Sequence, residues 1–455
     1  MESLGLISAI MVGHANNSCL ASSCVFIFNK LASILFLLSI IMIAEHTKSF
    51  DFQSVRIFFE WTENEEVLIL PATLLLISCL CKGAQFPFSK WLLDATVADT
   101  YISILLHSVT VVWTGIIFIY KCHFIFERIE FFGEALVFIG GATAIIMALC
   151  SLFQVDMKKI IACSTAASIG IAFVACGIKA YDISIIYFIC HAFSKSVFFL
   201  SVAYIMHIVS KETNILKMGG ISKIAPNVND IICVSFISTI GFPCFVNFFA
   251  KASLLQMTLD IKIILIVITN SVLLMIAFWR LIYLAMYGNS RMDERTMSRV
   301  SDLQGSCIIP PWLLLFFAVI GSFASIGMYN MEINYIKQSL FEILQIMIAI
   351  SIIVILKHRY KKLMPAKIEQ VFRDNELSEY FFSFLYTCLV QVQKFFLVID
   401  RKFDNFIHKA LQTSTEFLSV SVYKLYKESI ENQTRWLFLG IATCIMCAIA
   451  CSMIH

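Results

Sequence analysis

The chain has 455 residues, 59% of them hydrophobic and only 14% charged, with a formal charge of +3 and a mean hydropathy of +0.85. Soluble globular domains are about 45–50% apolar and about 25% charged, so the excess excludes a water-soluble enzyme and predicts a polytopic, all-α transmembrane helix bundle. The small, scattered basic excess excludes nucleic acid as a partner.

In chain order, a short apolar segment at 3–13 has no basic stretch before it, so no cleavable signal peptide is expected. Runs of membrane-spanning length follow near 22–44, 65–82, 101–120, 133–154, 159–178, 182–209, 228–250, 254–286, 308–328, 338–357 and 436–454. Polar connectors separate them at 46–64, 210–227 and 288–306. Most of the 16 cysteines, among them Cys79, Cys81, Cys150, Cys163, Cys176 and Cys190, lie inside apolar runs and read as small packing residues. Cys444, Cys447 and Cys451 form C-x2-C-x3-C without a neighbouring His or carboxylate, so no metal is expected there. Asn16 and Asn432 each open an N-x-S/T sequon. Richness in phenylalanine, 41 residues, suits an AT-rich organellar coding history.

Residues 366–430 contain neither Gly nor Pro and are too charged to span a bilayer. Phe381, Leu385, Leu389, Val392, Phe396, Ile399, Phe403, Phe406 and Ala410 recur at spacings of three and four, one stripe on a helix of roughly 100 Å. A soluble coiled coil is the competing reading. The bulky stripe and the span that follows favour a long helix along the membrane surface.

Charges inside the apolar runs carry the functional signal, because a lysine at bilayer centre costs about 2.5–3.5 kcal/mol. Lys82 ends an apolar run and precedes Gly83 and Pro87; lysine plus helix break suggests a hydrated cavity, against the alternative of a snorkelling side chain. His107 has Ser103 one turn earlier and Thr110 and Thr114 beyond it, a candidate proton relay or a satisfied core histidine. His191 and Lys195 stand four apart on one helix face, with Tyr187 a turn earlier. Each disfavours the other's charge, so the lysine can lose and regain a proton. Lys251 again follows an interruption, at Gly241 and Pro243. Asp156, Lys158 and Lys159 fall in a short polar connector, where the lysines read as membrane-surface anchors.

The motifs K-G-A-Q-F-P-F-S-K-W-L, L-L-H-S-V-T, D-M-K-K-I-I-A-C-S-T-A-A-S-I-G, H-A-F-S-K, K-M-G-G and G-F-P-C-F-V-N-F-F-A-K resemble, in order and spacing, the antiporter-like subunit 5 family of NADH:ubiquinone oxidoreductase, respiratory complex I. They are also similar to Mrp-type cation/proton antiporter subunits. The resemblance covers residues 1 to about 290. It implies proton translocation through Lys82 and Lys251 of two broken helices, the relay His107, and the pair His191 and Lys195. Glu2 takes the place of the family's glutamate at the head of the route, and Lys30 that of its basic neighbour. Five positions depart from the family: Ser33 stands for an acid, Tyr187 for a histidine, Asp99 and Tyr101 for prolines and Ala252 for an acid.

The implied organisation is an N-terminally shortened antiporter-like core over 1–290, further membrane helices over 291–364, a lateral helix over 365–430 and a terminal anchor over 431–455. Expected partners are the other membrane-arm subunits, above all the neighbouring antiporter-like one, with lipids and a second chain supplying the family's earlier helices. No cofactor and no redox site are expected in this chain. The mitochondrial inner membrane is the expected location, ahead of a bacterial plasma membrane. A stand-alone Mrp-type antiporter subunit and a structural subunit with a degenerate path are the alternatives.

Overall fold

The computed structural model describes residues 2–13, 19–62, 65–108, 110–242, 245–258, 260–288, 290–292, 302, 308–329, 343, 345–348, 350 and 351. The lateral helix and the terminal span lie outside the described residues, as do the Cys444–Cys451 pattern and both sequons. Among the described residues the structure is helical, with one isolated bridge between Asp156 and Asn214.

The helices are α1 (Glu2–Gly13), α2 (Cys19–Thr47), α3 (Phe52–Trp61), α4 (Glu65–Lys82), α5 (Lys90–Asp94), α6 (Thr100–Ser108), α7 (Thr114–Lys121) and α8 (His123–Glu127). They continue with α9 (Glu130–Phe153), α10 (Met157–Gly177), α11 (Tyr181–Ile208), α12 (Pro226–Ile240), α13 (Val246–Met257), α14 (Ile261–Met286) and α15 (Ile309–Tyr329). Six spans among the described residues are long and apolar enough to cross a membrane: Ala21–Thr47, Thr100–Lys121, α9, α10, α11 and α14.

The expected spans change in three places. Residues 101–120 are interrupted after Ser108 and resume through a 3-10 turn at Val111–Trp113. Thr110, Val111 and Val112 are β-branched in succession, which weakens helical preference there. Residues 228–250 divide at Gly241, whose φ of +87° ends α12 in the left-handed region. Residues 254–286 divide as well, and α14 starts afresh behind Asp260, whose carboxylate accepts the Lys262 N–H at 2.9 Å. The connector 46–64, read as polar, contains α3. Asp51 caps it from Ser54 N at 3.1 Å and Phe59 is buried, apolar content enough for an amphipathic helix but too short for a span.

Helix α10 lies at the centre and is almost wholly buried. It packs on α9 so closely that a Cβ at Gly140 would sit 2.6 Å from the Gly170 carbonyl oxygen, and one at Gly170 2.5 Å from that of Gly140. Small residues of this kind let membrane helices approach backbone to backbone. On its other side α10 meets α11, which also contacts α6, α12, α13 and α15.

One end of the bundle is tied by polar loop contacts. Asp156 accepts the N–H groups of Lys158 and Lys159 and, at 2.6 Å, the Thr213 hydroxyl. Arg291 donates to the carbonyls of Met218 and Leu284, both at 2.6 Å, and of Ile215. These bonds hold the 209–225 loop against the helix ends.

Candidate functional site: buried lysines and histidines at helix breaks

Among the described residues Lys82, Lys158, Lys195, Lys251, His107 and His191 are buried, and no Asp or Glu is. Each lysine sits where a helix begins, ends or is broken, or faces a hydroxyl-rich neighbour. Backbone carbonyls freed at such breaks, together with side-chain hydroxyls, satisfy ammonium groups that lipid could not.

Lys82 is the last residue of α4, and its ammonium donates to the Ser33 hydroxyl of α2 at 3.2 Å. The turn beyond it is closed by Gln85, whose amide donates to the Gly83 carbonyl at 2.8 Å, and by Trp91 Nε1, which donates to Cys81 O at 3.0 Å. Ser33, noted in the sequence only as a departure from an acidic position, is thus the lysine's hydroxyl partner.

Lys195 is enclosed within α11. Its ammonium donates to the Ser164 hydroxyl of α10 and lies 4.7 Å above the Phe278 ring of α14, a cation–π contact. His191, one turn earlier, lies against the backbone of His107 and 5.2 Å from the Trp113 ring. His107 stacks on Phe199 of α11 at 5.2 Å. The hydroxyl row expected around His107 is cut after Ser108: Ser103 stays one turn from His107 on α6, where it bonds Ala98 O, whereas Thr110 and Thr114 lie beyond the break and bond Leu105 O and Val111 O.

Lys251, on α13, turns back to donate to the carbonyl of Ile240, the last residue of α12. Asn247 secures the same break. Its amide donates to Ser194 Oγ at 2.7 Å and to the carbonyls of Ser238 and Thr239 at 3.2 Å each. Lys195 is within electrostatic range of Lys251, and His107 of both Lys158 and Lys195.

Lys158 corrects the reading from sequence. It is no surface anchor: its ammonium donates to Ala98 O at 2.7 Å and Thr96 O at 3.3 Å, at the 3-10 turn Ala95–Val97. An N-cap aspartate two residues earlier makes the position look superficial, and only the packing of the α5–α6 connection over it reveals burial. Ser164, Asn247 and Trp113 were likewise missed, the first with a signal in the hydroxyl-rich S-T-A-A-S of α10. Lys30 does not join the buried set. It is half-buried on α2 with its ammonium 5.8 Å from the Phe26 ring centroid. Glu2 opens α1, and its side chain is outside what is described.

The family described as NADH:quinone oxidoreductase/Mrp antiporter, TM, matches residues 1–277. NADH-quinone oxidoreductase subunit L of Rickettsia typhi is 28% identical over 362 residues, covering 75% of this chain and 54% of its own length. NADH-ubiquinone oxidoreductase chain 5 of Metridium senile is 27% identical, covering 69% of this chain and 53% of its own. The chain thus spans about half the length of these relatives. Among solved structures, the Mrp complex from Dietzia sp. DQ12-45-1b shares the fold with a TM-score of 0.68 at 16% identity, over 98% of this chain and 48% of that one. With well over half its residues matched, the chain belongs to the transmembrane family of NADH:quinone oxidoreductases and Mrp antiporters.

Proposed function

We propose that the chain is a proton-translocating membrane-arm subunit of respiratory complex I, moving protons by a Lys/His/water relay coupled to NADH:ubiquinone oxidoreduction elsewhere in the complex. The observation that carries this reading is the set of four lysines and two histidines buried within apolar helices, several of them at helix breaks. Uncompensated burial of ionisable groups in a membrane is expensive and is kept where charge must cross. The bonds seen go to hydroxyls and carbonyls, partners that hold an ammonium yet leave its proton transferable to water. In this reading His107 and His191 link Lys158 and Lys82 to Lys195, and Lys251 passes the proton on across the α12–α13 break. Glu2 and Lys30 would feed the Lys82 end.

Partners under the same proposal are the neighbouring antiporter-like subunit and other membrane-arm chains, with lipid on the remaining apolar surface. The exposed stripe of α2, Ile34, Leu37, Leu38 and Ile41, beside Leu6, Ile7 and Ile10 of α1, suits coverage by membrane helices of a second chain. The 365–430 segment would brace the neighbours, and the mitochondrial inner membrane is the proposed location. The second reading, a subunit of an Mrp-type cation/proton antiporter, is favoured by the likeness to the Mrp complex.

The test is Lys195→Ala in the assembled complex reconstituted into liposomes. Proton pumping per NADH oxidised should fall while native-gel assembly is retained. Unchanged pumping per complex sinks the relay. Pumping that requires a sodium gradient and proceeds without NADH turnover favours the antiporter.

A further inference from the structure

The chain turns sharply as it leaves the membrane-spanning helix α2. Lys48 has a φ of +53°, and its N–H donates to the Ala44 carbonyl at 2.8 Å, so α3 departs from α2 within a few residues. Helix α3 contacts α2 and the short α8, which lies between α7 and α9. It therefore sits at the end of the bundle where α2 and α7 stop and α4 and α9 begin, the boundary between bilayer and water for these spans.

Three pairs of side chains, each four residues apart, divide α3 into faces turned about 100° from one another. Val55 and Phe59 face the protein: Val55 is half-buried, Phe59 is buried, and the Phe59 ring lies 6.1 Å from that of Phe124 on α8. Arg56 and Glu60 are exposed and paired with each other at 2.8 Å, with exposed Gln53 one turn earlier. Ile57 and Trp61 form the third face, apolar yet 53% and 80% exposed. Phe50, just before the helix, is also 80% exposed. The Arg128 guanidinium donates to the Thr62 carbonyl at 3.0 Å, so the chain after α8 fastens the end of α3 that carries Trp61.

Neither water nor the bilayer core suits such a helix. Water would leave Ile57 and Trp61 hydrated, and the core would desolvate the Arg56–Glu60 pair. The headgroup layer satisfies both faces, and tryptophan favours it because an apolar ring and a polar N–H are both accommodated there. Charge then narrows the lipid. With His46 neutral, residues 45–66 carry six carboxylates against two cations, Lys48 and Arg56. Anionic lipids gather at basic segments, and this acidic one repels them. A net-neutral headgroup that bears an ammonium brings its cation to the carboxylates and to the exposed indole face.

We propose that the Ile57–Trp61 face of α3 docks on zwitterionic phospholipid, with both side chains among the headgroups and upper acyl chains and the Arg56–Glu60 pair in water.

The test uses the assembled complex that contains the chain, in nanodiscs of equal phosphatidylcholine and phosphatidylglycerol. The photo-crosslinking amino acid benzoylphenylalanine takes the place of Trp61, of Ile57 or, as the water-facing control, of Gln53. All three positions are exposed, so native-gel assembly should match the parent. Irradiation should attach phosphatidylcholine at positions 57 and 61 with about five times the yield of phosphatidylglycerol, and little lipid at position 53. Adducts with another protein chain at 57 and 61 would make the face a subunit contact and overturn the proposal. Absence of adducts there would place the face in water, and equal lipid yield at 53 would submerge the charged face; either result overturns the docking. Equal yields of the two lipids would overturn the choice of headgroup.

Discussion

The two helix breaks that carry lysine are built in opposite ways. At the first, the turn after α4 closes with its own groups, Gln85 on Gly83 O and Trp91 on Cys81 O, and Lys82 is left to reach another helix at Ser33. At the second, Asn247 ties the ends of α12 to α11 through Ser194, and Lys251 folds back onto the carbonyl its own break has freed. Glycine serves each differently. Gly83 is needed for space, since a Cβ would lie 2.6 Å from Phe173 Cε2, whereas Gly241 is needed for its φ of +87°. The first lysine is therefore released by its break and the second is held by it. Lys82 reaches a hydroxyl 49 residues away in sequence, whereas Lys251 bonds a carbonyl 11 residues away.

The sharpest way to break this contrast is at the two amides. Asn247→Leu removes one donor from three acceptors in a buried junction and should cost about 2–3 kcal/mol, while Gln85→Leu should cost about 1 kcal/mol. Thermal unfolding of the two variants in detergent measures the difference. Equal losses would mean that the second break is as self-contained as the first.

Ser33 offers a smaller and more local test. Ser33→Ala removes the acceptor of Lys82 and the donor to Asn29 O, should destabilise by about 1–3 kcal/mol, the net worth of two hydrogen bonds, and should slow pumping through Lys82. Ser33→Asp should restore the tether with a charged partner. Melting and pumping measured on both variants decide the matter: an Ala variant indistinguishable from the parent would make Lys82 independent of α2.

The smallest effect concerns acid. Amides and an indole hold the two breaks and do not titrate, but the 209–225 loop contains Glu212. The Asn214 N–H and then the Lys217 ammonium at 3.1 Å hold its carboxyl below the ordinary glutamate range. A depressed carboxylate stabilises above its unfolded value, about 4.3, and that contribution is lost as pH falls through the folded value. Hydrogen exchange should therefore show the loop loosening in acid before either break, and Glu212→Gln should remove the dependence. Simultaneous loosening of breaks and loop would deny the separation.

Much of the site was legible before folding was considered. Lys82, His107, His191, Lys195 and Lys251 stand out because an ionisable residue in an apolar run is rare for a plain energetic reason. Lys158 was hidden by its setting, since Asp-x-Lys at a helix start is what a surface cap looks like. The hydroxyl row around His107 was over-read for the converse reason: spacing implies a shared face only while the helix continues, and here it stops at Ser108.

Length and hydropathy settle by themselves that this is a helical membrane protein, and lysine beside Gly and Pro marks where its helices give way, because those preferences are local to the chain. Tertiary structure alone decides what each buried group meets. Ser33 and Ser164 stand 49 and 31 residues from their lysines, and Phe278 arrives from another helix. The closeness of α9 and α10 places α10, with Lys158 and Ser164, at the centre of the bundle. Burial and partnership depend on the facing helix, and no pattern within one helix contains that information.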